Sequence, residues 1–275
     1  MSENQQPRGY ILLGNDEKKN GFSPGMISLL AQRLHFYAVN EKDLPVTVLP
    51  KLLSQNNQWR VFTNDRKTTV GIDFFLPSFY SRLSRQSFDK ENVVRAVKGR
   101  NKIDPCLSVL DATAGFGYDG FLLANAGCQV TMVEKIPLLA FLLEQAIQRV
   151  ACSEDAIADI ESRINFYEGD SVTVMQNWQG PRPAVIYLDP MYSVAEKELK
   201  RGLKKTAAVK KNMAFLQQVA SHNSEAEDQV LFDTAIKTAK YKIVVKRAPG
   251  AEYLAGQKPS SSIEGKSARF DIYPL

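Results

Sequence analysis

The sequence predicts an α/β fold, a parallel sheet built from βαβ units and preceded by a small lobe that contains β-strands. Three observations carry this expectation. From residue 107 onward, short apolar runs alternate with stretches of helical period, the pattern that parallel crossovers produce. The stretch LSVLDATAGFGYDGFLLANAGCQVTMVE reads as a strand ending on Asp111, a tight turn at Gly115 and Gly117, a helix over about 119–126, and a second strand at 130–133 closing on Glu134. Ahead of it, 46–49, 59–63 and 70–75 have the β-branched and aromatic content of strands, with turn-like residues at 55–57 and 64–67.

In chain order, Gly21, Pro24 and Gly25 mark a loop before a helix at 27–36, and residues 1–45 show no recognisable chemistry. Helices are expected at 79–85 and at 90–98, the second with Val93, Val94 and Val97 on one face. After the strands at 107–110 and 130–133 come a helix at 137–150, strands at 164–167 and 184–188, a helix within 206–220, a helix at 228–238 and a strand at 242–246. Residues 250–266, with Pro259 and three serines, read as a linker before a late strand at 270–273. The expected division is an N-terminal lobe, 1–100, and a main domain, 101–275.

At 275 residues and 44% hydrophobic content the chain can bury a large core. No run approaches the roughly 18 apolar residues of a membrane span, and MSENQQPRGY is too polar for a secretory signal. Three cysteines, Cys106, Cys128 and Cys152, lack metal-ligand spacing, so neither a disulfide framework nor a metal site is expected, and a reducing cytoplasm fits. Lys and Arg stand against Asp and Glu as 16 to 10 in 1–106, 4 to 11 in 107–190 and 15 to 9 in 191–275. An acidic centre disfavours a polyphosphate, whereas basic flanks suit a nucleic-acid backbone. The competing reading is that these charges only solvate the surface.

Gly115-Phe116-Gly117-Tyr118-Asp119-Gly120 matches G-x-G-x-x-G, so a nicotinamide dehydrogenase comes first to mind. That fingerprint places its first glycine where the strand meets the helix, so that pyrophosphate rests on the helix N-terminus. Here Asp111 comes first, and a carboxylate there repels pyrophosphate but attracts a cation such as the amino group and sulfonium of S-adenosylmethionine. D-x-x-x-G-x-G therefore points to a Rossmann-like, S-adenosylmethionine-dependent methyltransferase fold. Glu134, 17 residues beyond Gly117, is spaced to accept both ribose hydroxyls. Asp170 and Ser171 follow the third strand and are candidates for the adenine, although the same pair could simply cap a helix.

The second motif is Asp189-Pro190-Met191-Tyr192 at the end of the strand 184–188. Asp-Pro is also an ordinary turn initiator, but D-P-P-Y variants mark enzymes that methylate an exocyclic amino nitrogen. An aromatic amine is a poor nucleophile because its lone pair is delocalised. Asp189 and the Pro190 carbonyl can accept its two N–H groups and stabilise the developing positive charge, while Tyr192 stacks on an extruded base. Asp189, Pro190 and Tyr192 are the catalytic candidates, with Asp189 also near the methionine end of the cofactor. Lys197, Lys200, Arg201, Lys204, Lys205, Lys210 and Lys211 follow within fifteen residues. Together with Lys246 and Arg247 they are candidate RNA-phosphate ligands, against the alternative of a solvated face. His35 and His222 have no partner that suggests catalysis.

DATAGFGYDGFLLANAGCQV, VEKIP, VIYLDPMY, IVVKRAP and ARFDIY, in this order, resemble the bacterial small-subunit ribosomal RNA methyltransferase J family over about residues 70–275. The resemblance implies methylation of a guanine N2 in the 3′ part of 16S rRNA, with 16S rRNA or the small ribosomal subunit as partner. It implies cofactor contacts at Tyr118, Asp119, Glu134, Lys135, Asp170, Ser171 and Asp189, beside Asp111, Gly115 and Gly117 from the motif itself. The sequence departs from the family pattern at Tyr118, where relatives carry arginine, and lacks the family's glycine-rich segment at 82–98. Other readings are a methyltransferase for adenine N6 or protein glutamine, and a non-catalytic RNA-binding assembly factor.

Overall fold

The computed structural model describes residues 8–13, 23–44, 49–55, 58–62, 69–83, 91–99, 106–154, 158–190 and 224–275. Among them the chain divides into two compact units between Ile72 and Asp73, so the described residues 73–83 and 91–99 fall in the second unit rather than in the first. The division falls where Asp73 Oδ1 accepts the Phe75 N–H at 3.0 Å, a local turn that breaks the expected strand at 70–75. Only Val70 of that segment pairs, exchanging backbone hydrogen bonds with Val61.

The first unit is a four-stranded sheet. Its strands are β1 (Gly9–Leu13), β2 (Phe36–Asn40), β3 (Lys51–Gln55) and β4 (Gln58–Phe62), in the order β2-β1-β3-β4. Helix α1 (Pro24–Leu34) starts at Ser23, whose hydroxyl accepts the Met26 N–H. It stops short of the expected Phe36 because His35 takes the left-handed conformation, φ 54°. Strands β1 and β2 were not legible, since β2 alternates a buried Phe36 with exposed residues over only five positions. The strand read at 46–49 lies almost wholly outside the described residues, as do the helix within 206–220 and His222.

The second unit holds the main sheet. Helices α2 (Pro77–Leu83) and α3 (Asn92–Lys98) precede β5 (Ser108–Asp111), α4 (Tyr118–Asn125), β6 (Gln129–Glu134), α5 (Pro137–Ala151) and α6 (Ala158–Glu161). Then come β7 (Ile164–Glu168), α7 (Ser171–Gln176), β8 (Val185–Leu188), α8 (Glu225–Thr238), β9 (Lys242–Arg247), β10 (Ser261–Glu264) and β11 (Arg269–Pro274). The seven strands run β10-β11-β9-β8-β5-β6-β7, with β7, β6, β5, β8 and β9 parallel and β11 antiparallel between β9 and β10. Strand β8 is buried throughout and β9 nearly so, as expected of a parallel sheet covered on both faces. The segment read as a linker, 250–266, carries β10 and a short 3₁₀ turn at Leu254–Gly256 whose Leu254 is buried. Its polar SSIE sequence becomes a strand only because β11 supplies the ladder.

Beside that edge, Arg269 donates two hydrogen bonds to the fully buried Asp271, at 2.8 and 2.9 Å, and Ser262 donates a third at 2.6 Å. Asp271→Ala leaves the guanidinium buried without its carboxylate, and a loss of about 3–5 kcal/mol in unfolding free energy is expected by urea denaturation.

Candidate active site

Strand β5 has β6 on one side and β8 on the other, so the chain reverses its winding there, and the crevice beyond the strand C-termini is the usual ligand site of such sheets. Four charged residues meet at that edge. Asp111 ends β5, Glu134 ends β6, Asp189 follows β8 and Lys246 is the penultimate residue of β9.

The glycine turn between β5 and α4 is held from both sides. The Ala114 N–H donates to Val133 O, and the Gly115 N–H donates to Glu134 Oε2 at 2.8 Å. Glu134 Oε1 accepts the Ile136 N–H, also at 2.8 Å, so the buried carboxylate shapes the turn on each side of it. Burial pushes the Glu134 pKa up, with the Ile136 and Gly115 amides opposing. Gly117 caps α4 with φ 73°, and a Cβ there would lie 2.5 Å from Leu143 Cδ1. The third glycine of the motif serves packing: a Cβ on Gly120 would meet Met132 Cε at 2.5 Å and Asp111 Oδ2 at 3.0 Å.

Asp111 is buried, its Oδ1 accepting a long 3.3 Å bond from the Thr113 N–H. Desolvation, reinforced by Asp119 and then Asp189, pushes its pKa up to about 8. Asp119, in the first turn of α4, accepts the Tyr187 hydroxyl at 2.7 Å and the Lys246 ammonium at 2.6 Å, both on Oδ2. Burial would raise the Asp119 pKa, but Lys246 and Tyr187 hold it below the usual carboxylate range. Lys246 also pairs with Asp189 Oδ2 at 2.9 Å. Asp189 stays above its ordinary value because burial and Asp119 outweigh that ion pair. The Asp189 N–H donates to Thr113 Oγ1 at 2.6 Å, which fixes the Asp-Pro turn, and Pro190 is buried.

Asp170 caps α7, accepting the Thr173 N–H at 2.9 Å, and the Ser171 hydroxyl donates to the Ala112 carbonyl. The helix-cap reading of this pair therefore holds, and Ser171 ties the loop after β7 to the end of β5. Tyr118 packs its ring against Phe79 and Phe74, and Lys135 is exposed at the end of β6. Tyr192, Lys197, Lys200, Arg201, Lys204, Lys205, Lys210 and Lys211 lie outside the described residues. Lys246 and Arg247 do not form the expected surface arm. Lys246 is committed to two carboxylates, and Arg247 is buried with its Nε–H donating to the Glu252 carbonyl. Thr113 and Tyr187 were missed; the only trace of either in the sequence is a polar group inside an otherwise apolar run.

Residues 30–275 match the family model described as "Putative SAM-dependent methyltransferase". Proteins named ribosomal RNA small subunit methyltransferase J from Alteromonas mediterranea and Stutzerimonas stutzeri are 39% and 42% identical to this chain over 206 and 205 residues. Each match covers 74% of this chain, and 73% and 74% of the respective relative. The chain belongs to the methyltransferase J family. A crystal structure of a SAM-dependent methyltransferase from Neisseria gonorrhoeae superposes with a TM-score of 0.69 at 29% identity, covering 97% of this chain and 95% of that one. The protein is accordingly an S-adenosylmethionine-dependent methyltransferase with the Rossmann-like fold. The donor set fits that cofactor: Asp111, Asp119 and Asp189 surround one ammonium, Lys246, which leaves an excess of acceptor oxygens for a cationic ligand. Among the described residues no group of three or more His, Cys, Asp or Glu could hold a metal ion, and no helix is long and apolar enough to cross a membrane.

Proposed function

We propose that this methyltransferase J family member transfers a methyl group to the exocyclic N2 of a guanosine in the 3′ part of 16S rRNA. What carries the reading is the Asp189-Pro190 turn, held by Thr113 and Lys246 beside the acidic crevice of the cofactor. Support also comes from the relatives, which are named as methyltransferases of small-subunit ribosomal RNA. S-adenosylmethionine supplies the electrophilic methyl group. Asp111, Glu134, Asp170, Ser171 and the Gly115–Tyr118 turn would hold it: carboxylates toward its cationic end, Glu134 toward the ribose, and the α7 cap toward the adenine. Lys135 and Asp119 lie beside them.

Asp189 and the Pro190 carbonyl accept the two N–H groups of the amine and keep its lone pair aimed at the methyl carbon. As the N–C bond forms at the expense of the methyl–sulfonium bond, whose electron pair stays on sulfur as a neutral thioether, positive charge grows on nitrogen next to the Asp189 carboxylate, which stabilises it and can take the released proton. Tyr192 would stack on the flipped base. Lys197, Lys200, Arg201, Lys204 and Lys205, with the N-terminal lobe, are the candidate RNA-docking elements. Mass mapping of 16S rRNA from a strain lacking this protein tests the substrate. One N2-methylguanosine should disappear and return when the chain is re-expressed, and an unchanged inventory of methylguanosines rules the reading out.

The same site has a pH signature. The raised Asp111 pKa means that the folded chain keeps a proton which the unfolded chain releases near pH 4. This group's contribution to stability is therefore full at low pH and is lost as pH rises to about 8. A cationic ligand favours the ionised carboxylate, so cofactor affinity should rise with pH up to about 8 and then level off. Calorimetry at neutral pH in two buffers of different ionisation enthalpy should show that wild type releases more protons on binding than Asp111→Asn. Equal proton release in the two proteins would count against Asp111 as the cation's partner.

A further inference from the structure

The apolar run of β9, Ile243–Val245, ends on Lys246, whose side chain is 27% exposed although it lies in a central strand. Desolvating an ammonium is costly, so its partners must compensate. They are two acids from two other elements, Asp119 of α4 at 2.6 Å and Asp189 of the β8 turn at 2.9 Å. On Asp189 the Lys246 contact occupies Oδ2, and the backbone N–H is fixed by Thr113. Among the described residues no hydrogen bond engages Oδ1. The Asp119 oxygen that Lys246 touches is also held by the buried Tyr187 hydroxyl, so the ammonium is anchored by a second acid that is itself fixed.

From this juxtaposition we propose that Lys246 is a positioning residue for methyl transfer: it fixes Asp189 Oδ2 so that Oδ1 faces the amine, and its charge offsets the neighbouring carboxylates around Asp189. The inference rests on the reading of Asp189 as the amine acceptor.

Among the described residues, the charged groups that bear on this pair come from several elements. Asp119 faces Asp189 from α4, Asp111 from β5, Tyr187 from β8 and Arg247 from β9, while Arg82 of α2 bears on Asp119. Among the described residues, the acids around Asp189 would outnumber Arg247 once Lys246 is gone. Asp189 already sits above the ordinary carboxylate range through burial and Asp119, and losing the ammonium would send it higher. A protonated Asp189 no longer stabilises positive charge on nitrogen. A phosphate-binding lysine behaves differently: its loss raises KM for RNA and flattens the salt dependence, while the pH profile of kcat stays where it was.

The test measures kcat and KM for 16S rRNA across the pH range in which the protein stays folded, since the ionised fraction of the acceptor shapes the acid limb of the profile. It compares wild type, Lys246→Met, Lys246→Gln, Lys246→Arg and Asp189→Ala, with thermal melts to establish folding. Lys246→Met should lower kcat at neutral pH on the order of 100-fold. It should also move the acid limb of the profile upward by about one pH unit or more and leave KM for RNA nearly unchanged. Lys246→Gln keeps a donor without the charge and should show the same shifted limb if Lys246→Met does not fold. Lys246→Arg should recover most of the rate. A wild-type acid limb in both neutral variants, or a raised RNA KM with kcat retained, would overturn the proposal. If Asp189→Ala is inactive while the Lys246 variants keep the wild-type profile, only this inference fails; if Asp189→Ala turns over fully, the reading of Asp189 fails with it.

Discussion

Asp189→Ala is expected to reduce kcat by about 10²–10³ or more, the range seen when one preorganised group that stabilises transition-state charge is removed. Two contributions vanish together: the proposed acceptor of an amine N–H, and the neighbour that anchors Lys246. Cofactor binding should weaken and yet remain measurable by calorimetry, because Asp111 and Glu134 stand on other strands. Single-turnover rates at saturating cofactor separate the two effects. Full turnover in this variant would remove Asp189 from the chemistry.

Glu134→Ala should cost on the order of 100-fold or more in affinity for S-adenosylmethionine, since hydrogen bonds to a charged acceptor contribute about 1.5–3 kcal/mol each. The loss has two sources. The carboxylate is the proposed acceptor of the ribose hydroxyls, and it already accepts the Gly115 and Ile136 amides that set the turn. Glu134→Gln is no remedy, because its NH₂ group would have to face one of these N–H donors. Titration calorimetry with the cofactor measures the loss, and an unchanged Kd in Glu134→Ala would leave the β6 end without its assigned role.

The parallel half of the sheet was legible because buried strands announce themselves. Ser108–Asp111, Gln129–Glu134 and Val185–Leu188 are short apolar runs that end on an acid or run into one, each within a residue or two of where the sequence placed them. Marginal elements escaped for the opposite reason. Ser261–Glu264 has no apolar face of its own and exists as a strand through its pairing with β11. Residues 70–75 look like a strand by composition, but the Asp73 turn divides them between two units.

The candidate site divides in the same way. Sequence by itself determined the cofactor class and nominated the reacting motif, because a carboxylate ahead of two glycines, an acid at the next strand end and an Asp-Pro turn are local signals whose chemistry follows from spacing. Only the tertiary structure decided how the remaining charges are used. Lys246 lies 127 residues from Asp119 in the chain, and in one dimension it reads as one more basic residue near other basic residues. Folding brings it within hydrogen-bond distance of two acids from separate elements, where the cost of burying its charge commits it to them rather than to an RNA phosphate.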